Sequence, residues 1–188
     1  MKKYNIAVFV GSLRKESFNL KTAKALMALA PESLSLQVVN IASLPLFNED
    51  LEATPPAEWE ELRRQVRAAD GVLFLTPEYN RSITAVLKNA LDVGSRPYGK
   101  NTWNGKPGGV ISVSLGSLGG FGANHHLRQS LAYLNVPTLA QPEAYIGDAG
   151  KLFDESGNLT NKSTKEFLKN FLSAYEKWVQ TIVQKEAA

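Results

Sequence analysis

Three segments of the chain are mostly apolar and short enough to be strands. They lie at Tyr4–Val10, Gly71–Thr76 and Gly109–Ser114. Apolar runs of this length are typical of strands that are covered on both faces of a parallel sheet. Two weaker runs predict further strands, one at Leu36–Ile41 and one within Thr138–Ile146.

Helical periodicity fills the intervals between these strands. Apolar residues three and four positions apart form a stripe on each segment. The predicted helices are Asn19–Ala30, Pro56–Ala69, Ser82–Val93, Gly122–Leu134 and Thr164–Lys185. Alternating strands and helices predict an α/β fold, a parallel sheet with helices on both faces. For five strands we expect the order 2-1-3-4-5, a three-layer sandwich in a single domain over residues 1–188.

Composition and charge narrow the possible functions. The 188 residues include no cysteine, which excludes disulfides, cysteine metal sites and thiol nucleophiles. The two histidines, His125 and His126, are adjacent and therefore point to different sides of a regular element, so a zinc site is not expected. A net charge of +3 without a lysine or arginine run favours small anions over nucleic acid. No apolar run reaches the length of a membrane span, and we expect a cytoplasmic location.

Three polar loops follow strands of the predicted sheet. We call them the first loop (Gly11–Asn19), the second loop (Thr76–Ser82) and the third loop (Ser114–Gly122). In open α/β sheets, ligands bind beyond the carboxyl ends of the strands, near the point where the strand order reverses. Because these loops follow strands one, three and four, topology predicts that together they form the binding site.

The first loop has the residue types that bind a phosphate group. Ser12, Ser17 and Asn19 offer polar side chains, and Arg14 offers a rigid set of donors. The backbone N–H groups from Ser17 to Asn19 lie at a helix N-terminus, where anions are stabilised. The residues leave an alternative open, in which Ser17 is only a helix cap and Arg14 a solvated charge.

The second and third loops suit a flat ligand. Pro77 stiffens the second loop and is expected to leave backbone amides free, while Tyr79 offers stacking area. An ordinary turn with a helix cap at Ser82 is the alternative. The third loop is rich in glycine, which permits close backbone approach, and the helix start that follows it favours negative charge. Simple flexibility is the alternative there.

None of the three loops contains a set of residues for acid–base or nucleophilic catalysis. Glu16 and Glu78 are their only carboxylates, and the Gly-x-Ser-x-Gly turn of serine hydrolases is absent from the sequence. Binding loops with few reactive side chains suggest that a cofactor supplies the chemistry.

The loops together resemble a known family. The segments GSLRKESFN (residues 11–19), TPEYNRSITAVLKNALD (76–92) and GKPGGVISVSLGSLGG (105–120) are similar to three signatures of the NADPH-dependent FMN reductase family. The chromate and quinone reductase branch is the most similar. The resemblance covers roughly Lys3–Ala144 and implies a flavodoxin-like fold, non-covalent FMN, NAD(P)H as co-substrate, and a homodimer or homotetramer.

The resemblance also implies roles for individual residues. The FMN phosphate would be bound by Ser12, Arg14, Ser17, Phe18 and Asn19. The isoalloxazine ring would lie along Pro77, Glu78, Tyr79 and Asn80. The third loop would approach the ring through Ser114, Gly116, Gly119 and Gly120. The weaker candidates for substrate binding are Arg81, which a solvated charge also explains, and Tyr98 and Trp103 of the long connection Gly94–Lys106. Trp103 could instead simply pack on the fold.

The family resemblance implies a two-step reaction. NAD(P)H passes a hydride to flavin N5 and leaves, and an acceptor then takes its place. Quinones, chromate, azo dyes and free flavins are the acceptors implied. A flavodoxin-like electron carrier, without NAD(P)H oxidation of its own, is the alternative function. One departure is visible, because Thr84-Ala85 stands where members commonly have Pro-Gly, which predicts a less rigid start of the third helix.

Overall fold

The structure of the protein is a computed structural model that describes residues 2–186. Met1, Ala187 and Ala188, part of the predicted domain, lie outside the described residues. The strands are β1 (Tyr4–Val10), β2 (Leu34–Val38), β3 (Gly71–Thr76), β4 (Gly108–Val113) and β5 (Ala144–Ile146). The helices are α1 (Phe18–Leu29), α2 (Ala57–Ala68), α3 (Ala85–Ser95), α4 (Phe121–Tyr133) and α5 (Lys162–Glu186). Two short 3₁₀ turns lie at Glu49–Leu51 and Ala149–Lys151.

The five strands form one parallel sheet in the order β2-β1-β3-β4-β5, as the sequence predicted. At the centre of the sheet, Val8 of β1 lies between Val38 of β2 and Leu73 of β3. The carboxyl ends of β1, β3 and β4 therefore lie side by side. The three loops that follow these strands meet at that edge.

Two apolar layers cover the sheet. Ile6 and Val8 of β1 face the layer that contains Phe171 of α5, and Phe9 faces the opposite layer, which contains Trp59 of α2. Successive residues of a strand point to opposite faces, so β1 must be apolar at nearly every position. This requirement explains the unbroken apolar runs in the sequence. No helix among residues 2–186 combines the length and apolar character needed to cross a bilayer.

The long connection Gly94–Lys106 does not lie where its expected role in substrate binding would require. It joins the end of α3 to the start of β4, and so lies at the edge of the sheet opposite the three loops. Trp103 is fully buried, donates a hydrogen bond from Nε1 to the Leu91 carbonyl at 2.9 Å, and packs edge-on against Phe9. Trp103 therefore packs on the fold and does not line an open substrate face. Tyr98 is 91% exposed in the same connection, away from the three loops.

Candidate functional site

The three loops enclose a cleft of about 450 Å³ at the carboxyl edge of the sheet. It is lined by Ser12, Arg14, Ser17, Phe18, Asn19, Pro77, Glu78, Tyr79, Arg81, Val113, Ser114, Leu115 and Gly116. The structure thus brings together ten of the thirteen residues proposed from the sequence for cofactor binding, and Arg81 as well. The other three, Asn80, Gly119 and Gly120, belong to the same loops but do not line the cleft.

A larger groove of about 510 Å³ lies beside β2 and α2, away from the three loops. Its only carboxylate, Glu61, is hydrogen-bonded by Arg64 and by Gln65. These bonds lower the pKa of Glu61 to about 2, and the hydrogen bonding with Arg64 contributes most. The carboxylate of this groove is therefore satisfied internally, whereas the cleft at the loops contains a buried acceptor without a partner in the described residues.

The N-terminus of α1 opens into the cleft. Ser17 is the N-cap, and its Oγ accepts a hydrogen bond from the backbone N–H of Leu20 at 3.2 Å. Within the described residues, the backbone N–H groups of Phe18 and Asn19 make no hydrogen bond. Unpaired N–H groups and the helix dipole together attract an anion. The cap is therefore compatible with the anion site proposed for this helix end.

Asn19 holds the most informative unpaired atom in the cleft. Its side chain is buried, and its Nδ2 donates a hydrogen bond to the Val113 carbonyl at 3.2 Å. Its Oδ1 is buried without a hydrogen-bond partner in the described part of the chain. An unsatisfied buried acceptor costs about 1–3 kcal/mol. The cleft therefore offers a place for a ligand that carries a hydrogen-bond donor.

The second loop is a tight hairpin. Asn80 and Arg81 have φ angles of 52° and 65°, and the backbones of Tyr79 and Ser82 exchange two hydrogen bonds of 3.0 Å. Positive φ at both central residues is typical of a type I′ turn. The amide of Tyr79 is thus used internally, contrary to the expectation of free amides, whereas those of Glu78 and Asn80 make no hydrogen bond within residues 2–186.

The carboxylate of Glu78 occupies the N-terminus of α4. Its Oε2 accepts a hydrogen bond from the backbone N–H of Ala123 at 3.0 Å, and its Oε1 lies 3.1 Å from Nη1 of Arg81. The sequence predicted that this helix start would favour negative charge on a ligand. The structure corrects that expectation, because a residue of the protein supplies the charge.

A buried contact joins the start of α3 to the first loop. The hydroxyl of Thr84 donates a hydrogen bond to the Gly11 carbonyl at 2.7 Å. Helix α3 begins at Ala85 rather than at the predicted Ser82, because the hairpin uses Ser82. Thr84, which departs from the family pattern, therefore attaches the start of α3 to the first loop through a bond that proline cannot make.

Glycines of the third loop are required for packing. Gly119 and Gly120 have φ angles of 61° and 76°, which disfavour other residues. A Cβ at Gly119 would lie 2.6 Å from the backbone of Tyr145. Simple flexibility, the alternative for this loop, therefore does not account for these two glycines. Ser114 and Gly116 form the part of the loop that lines the cleft.

Comparison with known proteins decides the family. The sequence profile of the NADPH-dependent FMN reductases matches residues 4–151. The chain belongs to the NADPH-dependent FMN reductase family. A quinone reductase of Pseudomonas putida is 57% identical over 178 residues, which are 94% of this chain and 95% of the relative. A 2-hydroxy-1,4-benzoquinone reductase of Burkholderia sp. is 45% identical over 175 residues, 93% and 96% of the two chains.

Solved structures confirm the flavodoxin-like fold of this FMN reductase family member. FerB, a flavoenzyme NAD(P)H:(acceptor) oxidoreductase from Paracoccus denitrificans, matches with a TM-score of 0.90 and 39% identity, over 95% of this chain and 98% of its own. A flavodoxin mutant from Pseudomonas aeruginosa, at 16% identity and a TM-score of 0.60 over 94% and 99% of the chains, shares the fold alone.

These findings confirm the predicted family, the oxidoreductase class, and FMN with NAD(P)H as its cofactors. The single-domain organisation, the cytoplasmic location and the role of each binding residue remain predictions.

Sequence reasoning missed the contacts that fix the second loop of the reductase. Nδ1 of His126 lies 2.7 Å from Oγ of Ser82, a contact that the sequence did not predict. His125 makes a similar contact, from Nε2 to the hydroxyl of Tyr145 at 2.8 Å. Burial is the main cause that raises the pKa of Tyr145 to about 12, and a hydrogen bond with Glu143 is the second cause. The position of His126 one helical turn after Gly122 was the only signal available.

Proposed function

We propose that this reductase uses NAD(P)H to reduce quinones through FMN bound in the cleft. The family and the quinone reductases among its relatives support this proposal. FMN bound there would supply the redox chemistry, by accepting a hydride from NAD(P)H at N5 and then passing reducing equivalents to the acceptor in a ping-pong sequence. Chromate is included in the proposal as a second acceptor, by resemblance to the chromate reductase branch.

The open N-terminus of α1, beside the unpaired Oδ1 of Asn19, is the observation that carries the proposal. A phosphate group satisfies the free N–H groups of Phe18 and Asn19, and Arg14 adds charge. The hydroxyls of a ribityl chain are the donors that Oδ1 lacks. One mononucleotide with both a phosphate and a polyol therefore fits the donors and acceptors present.

The second and third loops would hold the flavin ring. The free backbone N–H groups of Glu78 and Asn80 suit the carbonyl and nitrogen edge of a heterocycle, and Tyr79 offers half-exposed aromatic area. Ser114 and Gly116 close the other side of the cleft. These residues bind and orient the ring and leave one face open to the nicotinamide and the acceptor.

The same proposal includes a homodimer or homotetramer. Leu13, Tyr79, Leu115 and Leu118 are all more than half exposed at the three loops. A concentration of exposed apolar side chains is typical of a surface that another protein covers. We propose that a second copy of the chain covers it and narrows the acceptor site.

A titration with FMN tests the phosphate site. We expect wild-type protein to bind FMN saturably, and Arg14→Ala to weaken binding about tenfold, because a charged hydrogen bond contributes about 1.5–3 kcal/mol. The matched control is Arg64→Ala, which removes an exposed arginine of α2 and should leave FMN affinity unchanged. Equal affinity in the wild type and Arg14→Ala would contradict the role of Arg14.

Catalysis is tested with the same preparation. The FMN-loaded protein should bleach when NADPH or NADH is added without oxygen, and steady-state assays with quinones and chromate should then rank the acceptors. Bound FMN that neither coenzyme reduces would contradict the proposal and favour an electron carrier.

A further inference from the structure

The second loop is attached to α4 at two points. Oε2 of Glu78 accepts the hydrogen bond from the Ala123 N–H, and Oγ of Ser82 contacts Nδ1 of His126. The paired residues are 45 and 44 positions apart in the chain. Helix α4 therefore supports a hairpin whose own contacts are two backbone hydrogen bonds and the ion pair between Arg81 and Glu78.

The carboxylate of Glu78 is fully engaged by the protein. Ala123 uses one oxygen and Arg81 the other, and the side chain is only 14% exposed. A Cβ at Gly122 would lie 2.9 Å from Oε2, so the absence of a side chain there admits the carboxylate. Glu78 thus points its charge at the start of α4, where the helix dipole stabilises it, and not at a ligand.

This attachment acts on a strained piece of backbone. Asn80 and Arg81 both lie in the left-handed region, which asparagine tolerates but which arginine adopts at a cost that surrounding contacts must offset. The hairpin carries the unpaired N–H groups of Glu78 and Asn80 on either side of Tyr79. A fixed hairpin therefore means fixed donors at this end of the cleft.

We propose that Glu78 is a positioning residue for flavin binding, an inference that rests on the proposed function of the cleft. By capping α4 through Ala123, Glu78 holds the second loop in the conformation that presents its backbone N–H groups to the ring. Its carboxylate itself makes no contact with the cofactor. Arg81, which takes the second oxygen, restrains the hairpin from its tip.

Hydrogen exchange of the FMN-free chain tests the attachment directly. In Glu78→Ala, the amides of Tyr79 and Ser82 should exchange about tenfold faster than in the wild type, since the loop loses a charged hydrogen bond. Glu78→Gln keeps an oxygen for the Ala123 N–H and should restore most of the protection. Unchanged exchange in Glu78→Ala would overturn the proposal.

Flavin binding supplies the second measurement, with Asn161→Ala as a matched control. Asn161 accepts a hydrogen bond from the Thr164 N–H, caps α5 and does not line the cleft. Both alanine variants lose a helix cap, so both should melt at lower temperature. Only Glu78→Ala should also weaken FMN binding about tenfold and change the circular dichroism of bound flavin, with Glu78→Gln close to the wild type.

The results separate this role from the proposed function. Lack of FMN binding by the wild-type protein would overturn the proposed function and this role with it. In a wild type that binds FMN, wild-type affinity and flavin dichroism in Glu78→Ala would overturn the role alone. Equal damage in Glu78→Gln and Glu78→Ala would also overturn it, because the negative charge would then matter more than the cap.

Discussion

Asn19 and Asn124 are two buried asparagines whose hydrogen bonding differs. The amide of Asn124 donates to Ser112 and to the Ala144 carbonyl, and its Oδ1 accepts from Arg128. Asn19 makes one hydrogen bond and leaves its Oδ1 unpaired. At the scale of single residues, Asn124 completes the fold, whereas the free acceptor of Asn19 supports its proposed contact with FMN.

Replacing Asn19 by leucine should keep or slightly raise the free energy of unfolding and should weaken FMN binding. The substitution loses one hydrogen bond, worth about 1 kcal/mol, and removes an unpaired acceptor that costs about 1–3 kcal/mol. Urea unfolding should therefore show FMN-free Asn19→Leu to be as stable as the wild type or slightly more so. Fluorescence titration should show FMN affinity about tenfold weaker.

The control is the same substitution at Asn124. Asn124→Leu breaks satisfied buried bonds, so it should destabilise the FMN-free protein by about 2–3 kcal/mol, yet protein that remains folded should bind FMN normally. If Asn19→Leu were destabilised like Asn124→Leu and bound FMN like the wild type, the assignment of Asn19 would be wrong.

Residue types in the cleft were predictable, but their contacts were not. Composition and topology together identified the first loop and the second loop, because polar turns after buried strands are visible in the sequence. The bond from Thr84 to Gly11 spans 73 positions, and that from Ala123 to Glu78 spans 45. Such pairs depend on how separate loops meet in space, which no local pattern contains.

At the scale of elements, strands buried on both faces were predicted best. The structure gives β1 and β3 the bounds expected from their apolar runs. The edge strand β2 ends at Val38 rather than at the predicted Ile41. Val39 and Ile41 are buried beyond the end of the strand, so their apolar pattern extended the prediction too far. An apolar pattern reports burial, and burial continues where the strand has ended.

Helix α5 contributes a buried tyrosine that links stability to pH. The hydroxyl of Tyr175 donates to the Val72 carbonyl at 2.9 Å, and burial raises the pKa of Tyr175 well above its usual value of 10.0. The unfolded chain therefore loses this proton at lower pH than the folded protein. The stability is fully present below about pH 10 and falls as the pH rises further.

Tyr175→Phe should make the stability of the protein fall less steeply as the pH rises above 10. Phenylalanine has no proton to release, and the lost hydrogen bond should cost about 1 kcal/mol at pH 8. Between pH 10 and 11.5, the urea midpoint should fall less steeply in the variant than in the wild type. Parallel curves for the two proteins would contradict the assignment to Tyr175.

At the scale of the whole molecule, exposed apolar side chains are unevenly distributed. Eight large apolar or aromatic residues are more than half exposed in the described part of the chain. Five of them lie in the three loops or at the start of α4: Leu13, Tyr79, Leu115, Leu118 and Phe121. This concentration around one cleft supports the proposal that a second copy of the chain covers this surface.

We expect light scattering to give a mass two or four times the 20.6 kDa of one chain. Phe121→Glu, which places a charge in this surface, should shift the mass toward 20.6 kDa, because burying an unpaired charge opposes association. Met27→Glu places the same charge on an exposed position of α1 and should leave the mass unchanged. If the wild-type protein has a mass of 20.6 kDa at micromolar concentration, no second copy of the chain covers this surface. The proposal that a second copy narrows the acceptor site would then have no physical basis.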